Sequence, residues 1–433
     1  MKKFIENIKN IWSVEELRKR LIITFSLILV FRIGSFIVLP GVDSSKLSAD
    51  GGEAGTIEGL LGLLSGGGFT NASFLALGIM PYISASIIMQ LMGMAVPAVQ
   101  KMQQEGESGQ KRINNYTRIL TIIISAVQAP GYLSLYVAQK NAIPTEFMNS
   151  PLWWVQSIMV LIAGTMFAVW IGERITDRGV GNGISLLITV GIIARLPSSF
   201  VAETVQNSML IVIVEVFIFM LIVMATVLIV QGVRKIPMNY AKRVVGGRNE
   251  VGAQGARSYI PLKVNASGVM PIIFAQAIMT VPVMLIQKQF GIFGFWYNLV
   301  LFLLIIIFTY FYTAIMINPK KMADDMKRNG GFIPGIRPGT ETADYIDDLV
   351  SKITLPGSIF LALIAIIPAI VVKFGVGDSF AMFFGGTSLL IMVGVVLDTL
   401  QQIESYLLNR HYDGLMEGTK IRGRRTQGEM SGM

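Results

Sequence analysis

Hydrophobic positions in this 433-residue chain fall into ten long runs, at approximately 21–39, 74–96, 118–138, 152–172, 183–200, 209–231, 267–287, 298–317, 355–374 and 380–400. Charged and turn-forming residues gather between them. A bilayer core about 30 Å thick takes roughly 20 apolar residues per helical crossing, so each run predicts one transmembrane helix. The runs are continuously apolar rather than alternating, which excludes barrel strands, and a helix satisfies every backbone group within its own segment. The expected fold is an all-α polytopic membrane protein.

Composition agrees with the pattern. Hydrophobic residues make up 53% of the chain and charged ones 15%, with a mean hydropathy of +0.61; a soluble domain does not tolerate that balance. Charge adds an orientation. Of the 36 Lys and Arg residues, Arg32 lies inside the first run, while Lys46, Lys140, Arg195, Lys288 and Lys373 are scattered singly over five alternate loops and the adjoining run ends. All the others sit in the two terminal tails and in the loops after the even-numbered runs. The positive-inside bias places both termini in the cytoplasm and explains most of the net charge of +9 without a nucleic-acid partner. Residues 1–20 are expected to form a cytoplasmic amphipathic segment leading into a retained first span. The chain has no cysteine, and its single histidine, His411, lies beyond the last run. Disulfides, thiol chemistry and a metal or haem site within the membrane are excluded, and no cofactor is expected.

The first outer loop, about 41–73, holds the apolar piece IEGLLGLLSGGGF. Ile57 to Ser65 would make about 13 Å of helix, too short to span. A re-entrant helix and an interfacial helix on lipid both fit, and Gly66, Gly67 and Gly68 would supply a flexible joint. The largest cytoplasmic loops, 232–266 and 318–354, are rich in glycine, proline and basic residues. They read as projecting hairpins with exposed turns on which a partner docks.

Two windows repeat. GIMPYISASIIM at 78–89 and GVMPIIFAQAIM at 268–279 are identical at seven of twelve positions. They lie in the second and seventh runs, the second members of two five-run halves. Because five is odd, the halves enter the membrane from opposite sides, giving an inverted repeat whose matched proline-interrupted helices point to a central pathway. Ile79 and Ile83 are four apart on one face, as are Ile184 and Ile188, and Ile273 aligns with Ile83. Lipid-facing packing would explain any one of these isoleucines.

Catalytic machinery is missing from the pattern. No GxxxxGK[ST] loop occurs, so the chain does not hydrolyse ATP for itself, and RGVGNGIS at 178–185 follows no strand, which makes it a tight turn into the fifth span. Apart from Arg118, Arg195 and Lys373 toward run ends, the charges within runs are Arg32, Glu215 and Asp398. Each is expected to anchor structure, and Arg32 is deep enough to need a partner or a route to water.

The ordered motifs FRIGSFIVLPG at 31–41, ALGIMPYISASIIMQL at 76–91, EGESGQKR at 105–112, RGVGNGIS, NYAKR at 239–243, PLKVN at 261–265, FIPGIRPG at 332–339 and FFGGTSLLI at 383–391 resemble the SecY family. The resemblance covers the chain from its first span to its tenth. It implies a ten-helix clamshell of two inverted halves, 21–200 and 201–400, with a cytoplasmic tail at 401–433. The implied function is a passive channel of the bacterial plasma membrane for unfolded secretory polypeptides, which also releases apolar segments sideways into lipid. The implied pore ring falls on Ile79, Ile83, Ile184, Ile188, Ile273 and Ile391. The implied plug is the helix at 57–69, with Ile57, Leu60, Leu61, Leu63 and Leu64 as its apolar side chains. Pro81, Ser86, Gln90, Asn265 and Pro271 match the lateral gate, and Arg243, Arg248 and Arg337 the docking sites for the SecA ATPase or the ribosome. Where family members often carry two adjacent basic residues, this chain has Gly247 and Arg248. Implied partners are the small subunits SecE and SecG, SecA, the ribosome, signal peptides with their nascent chains, and lipid. A small-solute transporter and a pore-free insertase are the rival classes; the long basic loops and plug-like helix count against the first, the paired gate helices against the second.

Overall fold

The computed structural model describes residues 12, 14–49, 59, 62, 63, 65–240, 258–265, 267–285 and 291–418. Ten helices carry the ten apolar runs: α1 Glu15–Gly34, α2 Met80–Ala95, α3 Glu107–Tyr132, α4 Pro151–Arg178, α5 Gly183–Gln206, α6 Met209–Val230, α7 Met270–Leu285, α8 Phe295–Met316, α9 Thr340–Lys373 and α10 Gly386–Gly418. Seven of them are long and apolar enough to cross a membrane alone, and α2 with the short helix Pro97–Gln104 makes an eighth. Among the remaining two, α1 carries Arg18, Lys19 and Arg20 within its first turns, and α7 has only 16 residues because the chain before it turns instead of coiling. α2 stops at Val96, which is extended (φ −111°, ψ 112°) because Pro97 disfavours helical geometry in the residue before it.

Helix ends depart from the apolar runs. α3 starts eleven residues before its run, α9 fifteen before, and α10 continues well past residue 400. These polar extensions are laced by one-turn ion pairs, Lys111–Glu107 at 2.8 Å and Lys352–Asp348 at 2.7 Å, which hydropathy does not register. Residues 340–354 are therefore helix rather than loop. The fifth span begins as expected. Asn182 caps it by accepting the Ser185 N–H (3.3 Å), and the preceding turn is clasped by Thr24 Oγ1, which accepts from Val180 N–H (3.1 Å), and Gln402 Oε1, which accepts from Gly181 N–H (2.9 Å).

The two large loops are joined. β1 (Val233–Tyr240) pairs antiparallel with β2 (Ser258–Lys263), Val233 opposite Lys263 and Ile236 opposite Ile260, and its other edge takes β3 (Gly331–Phe332) from the second loop. Ile236, Met238, Leu262, Met326, Ile333, Ile346 and Val350 are buried together beneath this sheet. What the sequence presents as two separate hairpins is one small platform with its own apolar core.

Small residues let the spans close on one another. A Cβ on Gly183 would lie 2.0 Å from the Gly172 carbonyl oxygen, and one on Gly164 would lie 1.9 Å from that of Phe74. The second contact buries the non-helical stretch 65–79 between spans. That stretch also forms a bridge with the chain leaving α1: Leu39 N–H donates to Ala72 O (2.9 Å) and Phe74 N–H to Ile37 O (3.0 Å).

Candidate functional site

The matched windows share one backbone device. Gly78 and Gly268 both have positive φ, +53° and +63°, and each is followed two and three residues later by Met-Pro opening a 16-residue helix. Pro81 and Pro271 therefore start α2 and α7 and do not interrupt them. At the first turn a proline gives up an N–H that has no intrahelical acceptor, and its fixed φ suits the helix. The expectation of broken helices gives way to helices that begin late: the glycine turns the chain inside the run, and the proline starts the coil. Ile83 N–H donates to Ile79 O (3.1 Å) and Ile273 N–H to Val269 O (3.4 Å), so the two first turns are built alike.

This late start brings the isoleucines together. Ile79, Ile188 and Ile391 are buried in one apolar cluster, with Ile83, Ile184 and Ile273 packed against it. The cluster draws side chains from α1, α2, α4, α5, α6, α7, α9 and α10, with Phe380, Phe383 and Phe384 of the chain entering α10. It is where the two halves meet. Gly172 makes room for Ile184, since a Cβ there would come within 2.8 Å of Ile184 Cγ1. Leu63 is buried in the same cluster and also lines a water-sized cavity of about 40 Å³ with Gln276, Tyr297, Thr387 and Ser388. Ile57, Leu60, Leu61 and Leu64 lie outside the described residues.

Polar groups line the seam beside the cluster. Tyr312 of α8 donates to Gln90 Oε1 of α2 (3.1 Å), and Thr387 of α10 donates to Gln276 Oε1 of α7 (3.1 Å). Ser86 is half-buried on α2, and Asn265 in the turn after β2 accepts from Ser267 Oγ (3.3 Å). The sequence offers one signal for the Tyr312 contact, a tyrosine near the end of an otherwise apolar span. Arg337 stands exposed in the turn between β3 and α9, 3.9 Å from Glu341, and its carbonyl accepts from Thr342 Oγ1 (2.8 Å). Arg243 and Arg248 lie outside the described residues.

The intramembrane charges separate. Arg32 finds the partner it needs in the Gly66 carbonyl (2.8 Å). Asp398 is exposed. Glu215 is 4% exposed and neither carboxylate oxygen has a hydrogen-bond partner among the described residues, so it anchors nothing there.

Comparison with known proteins identifies the architecture. The SecY family model matches residues 73–400. Proteins named protein translocase subunit SecY are 36% identical in Chlamydia trachomatis (96% of this chain, 99% of the relative), 38% in Thermotoga maritima (96% and 99%) and 40% in Halalkalibacterium halodurans (95% and 99%). Among solved structures, a protein-conducting channel superposes with a TM-score of 0.61 at 17% identity, covering 93% of this chain and 95% of that one. The yeast Ssh1 complex bound to the 80S ribosome gives 0.61 at 14% identity, covering 89% of each chain. With ten spans in two inverted halves, a shared GxMP helix start in each and a family match over most of its length, this chain belongs to the SecY family.

Proposed function

We propose that Ile79, Ile83, Ile184, Ile188, Ile273 and Ile391 form the constriction of a polypeptide channel, that residues 57–69 are its plug, and that α2 and α7 are the leaves of its lateral gate. The chain is a protein-conducting channel subunit of the translocase family and catalyses no reaction itself. The observation that carries the residue assignment is the single cluster that holds Leu63 with Ile79, Ile188 and Ile391 and has Ile83, Ile184 and Ile273 packed against it. Branched aliphatic side chains converging from several helices make a dry neck that penalises ions and still deforms around a passing chain.

Pro81, Ser86 and Gln90 on one leaf, with Asn265 and Pro271 on the other, would form the gate surface. An apolar segment gains roughly 0.3–0.6 kcal/mol for each Leu, Ile, Phe or Val placed at mid-bilayer. Ten such residues favour lipid by several kcal/mol, enough to sort segments once the seam parts. Movement through the neck needs an external drive, and the basic platform at 232–266 and 318–354 suits docking of the SecA ATPase or a ribosome through Arg243, Arg248 and Arg337. Related channels complexed with ribosomes support that reading. The proposed setting is the bacterial plasma membrane, with both termini cytoplasmic, halves at 21–200 and 201–400, terminal segments at 1–20 and 401–433, and small SecE and SecG subunits alongside.

The test uses a chain that has no cysteine of its own. Single cysteines at Ile83 and Ile273 crosslink to a secretory polypeptide stalled in transit, whereas one at exposed Phe217 on α6 does not. Crosslinks confined to Phe217 overturn the constriction.

A further inference from the structure

We propose that Arg32 and Arg195 are positioning residues that root the plug, fastening the chain from Gly66 to Thr70 to α1 and α5. The inference rests on the plug reading above and adds what holds the plug in place. Arg32 donates through Nη1 to the Gly66 carbonyl (2.8 Å), and Arg195 donates through Nη2 to Thr70 Oγ1. The glycines of the joint are the counterpart of these arginines. A Cβ on Gly66 would lie 2.9 Å from Arg32 Nη1 and 2.8 Å from Gly191 Cα, and one on Gly62 would lie 3.1 Å from Arg195 Nη1. Gly66 and Gly67 also take positive φ, +64° and +95°, and Gly67 N–H closes back onto Gly62 O (2.9 Å).

The joint expected to be free is thus pinned. Phe69 extends the hold: its carbonyl accepts from Tyr132 OH (2.7 Å), its N–H donates to Ser65 Oγ (2.9 Å), and its ring packs on Tyr132 and Tyr136. Neither arginine has a carboxylate within ion-pair distance among the described residues. Their charge is met by the root and, for Arg32, also by the face of Phe36, whose centroid is 5.2 Å from the guanidinium carbon. Drawing the root away strands two partly buried cations, each of which loses a charge-assisted hydrogen bond worth about tenfold or more in an opening equilibrium. On opening, 66–74 therefore stays with the spans.

The experiment compares resting ion conductance of the full-length channel in planar bilayers with labelling of a unique cysteine, Ser65→Cys, by a water-soluble maleimide. Ser65 is 5% exposed, so it labels slowly while the root holds. Arg32→Gln with Arg195→Gln removes both bonds and is expected to raise both readouts about a hundredfold. Thr70→Val, which keeps the shape and removes the acceptor, raises both to a smaller degree, and Arg195→Lys restores most of the seal. If deleting residues 57–65 makes the channel leak while the double variant and Thr70→Val stay tight and slow to label, the arginine root is wrong and the plug stands. If the deletion itself leaves conductance unchanged, the plug reading falls and the root with it.

Discussion

The hydroxyl of Tyr312 on α8 donates to Oε1 of Gln90 on α2 across 3.1 Å, so a hydrogen bond ties the first half of the clamshell to the second beside the proposed gate. Tyr312 is held for this contact by Phe274 of α7, whose ring centroid lies 6.3 Å away. Both partners are partly buried, so the bond meets less competition from water than one on the surface does.

Tyr312→Phe removes the donor and keeps the ring. A net loss of about 0.5–1.5 kcal/mol shifts the seam toward opening by roughly three- to tenfold. Export of precursors with weakened signal sequences is expected to rise, with no change in the thermal stability of α8 packing against α7. Unchanged export of such precursors would show that the bond does not hold the seam.

Gly78→Ala and Gly268→Ala form a matched pair. Both positions have positive φ, and among the described residues an added Cβ meets nothing closer than 3.7 Å at Gly78 and nothing within 4 Å at Gly268. The penalty is then purely one of backbone conformation, about 1–2 kcal/mol at each site. Thermal denaturation in detergent is expected to fall by similar amounts in the two variants. A large loss at one and none at the other would break the equivalence of the two helix starts.

These glycines show what could be read from the chain and what could not. The ten runs predicted ten helices because burial in lipid is a property of composition over about 20 residues. The repeat was visible as well, since seven matching residues in twelve survive inversion. The role of its prolines is not legible there: Pro81 and Pro271 sit inside apolar runs, and only φ at the preceding glycine reveals that the helix has not yet begun. Arg195 stands in the sequence as an isolated positive charge, and its acceptor, Thr70, is 125 residues away. The union of the two large loops was hidden for the same reason, since β1 and β3 pair across some 90 intervening residues. Long-range polar partners leave no periodicity.

Glu215→Leu is expected to stabilise the protein. The native side chain is buried on α6, with both oxygens lacking a hydrogen-bond partner among the described residues. Burying such a group without partners costs about 1–3 kcal/mol, and an apolar side chain of similar size removes that loss. A rise in melting temperature with unaltered transport is the predicted result; a fall would mean that Glu215 has a partner in the assembled membrane complex.

Arg337→Glu separates docking from folding. Its side chain is 87% exposed and its one ion pair among the described residues, with Glu341, is long at 3.9 Å. Exposed pairs of this kind contribute about 0–1 kcal/mol, so the reversal leaves the melting temperature nearly unchanged. The local fold does not depend on the guanidinium either, because the tether from the turn to α9 runs from Thr342 to the Arg337 carbonyl, which survives the substitution. An effect on transport must then come from what the guanidinium meets outside the chain. With purified SecA, ATP and a precursor, export is expected to drop at least tenfold, as for loss of a charge-assisted contact at an interface, while polypeptide already threaded through the neck completes its passage normally. Export at the unsubstituted rate would remove Arg337 from the docking surface.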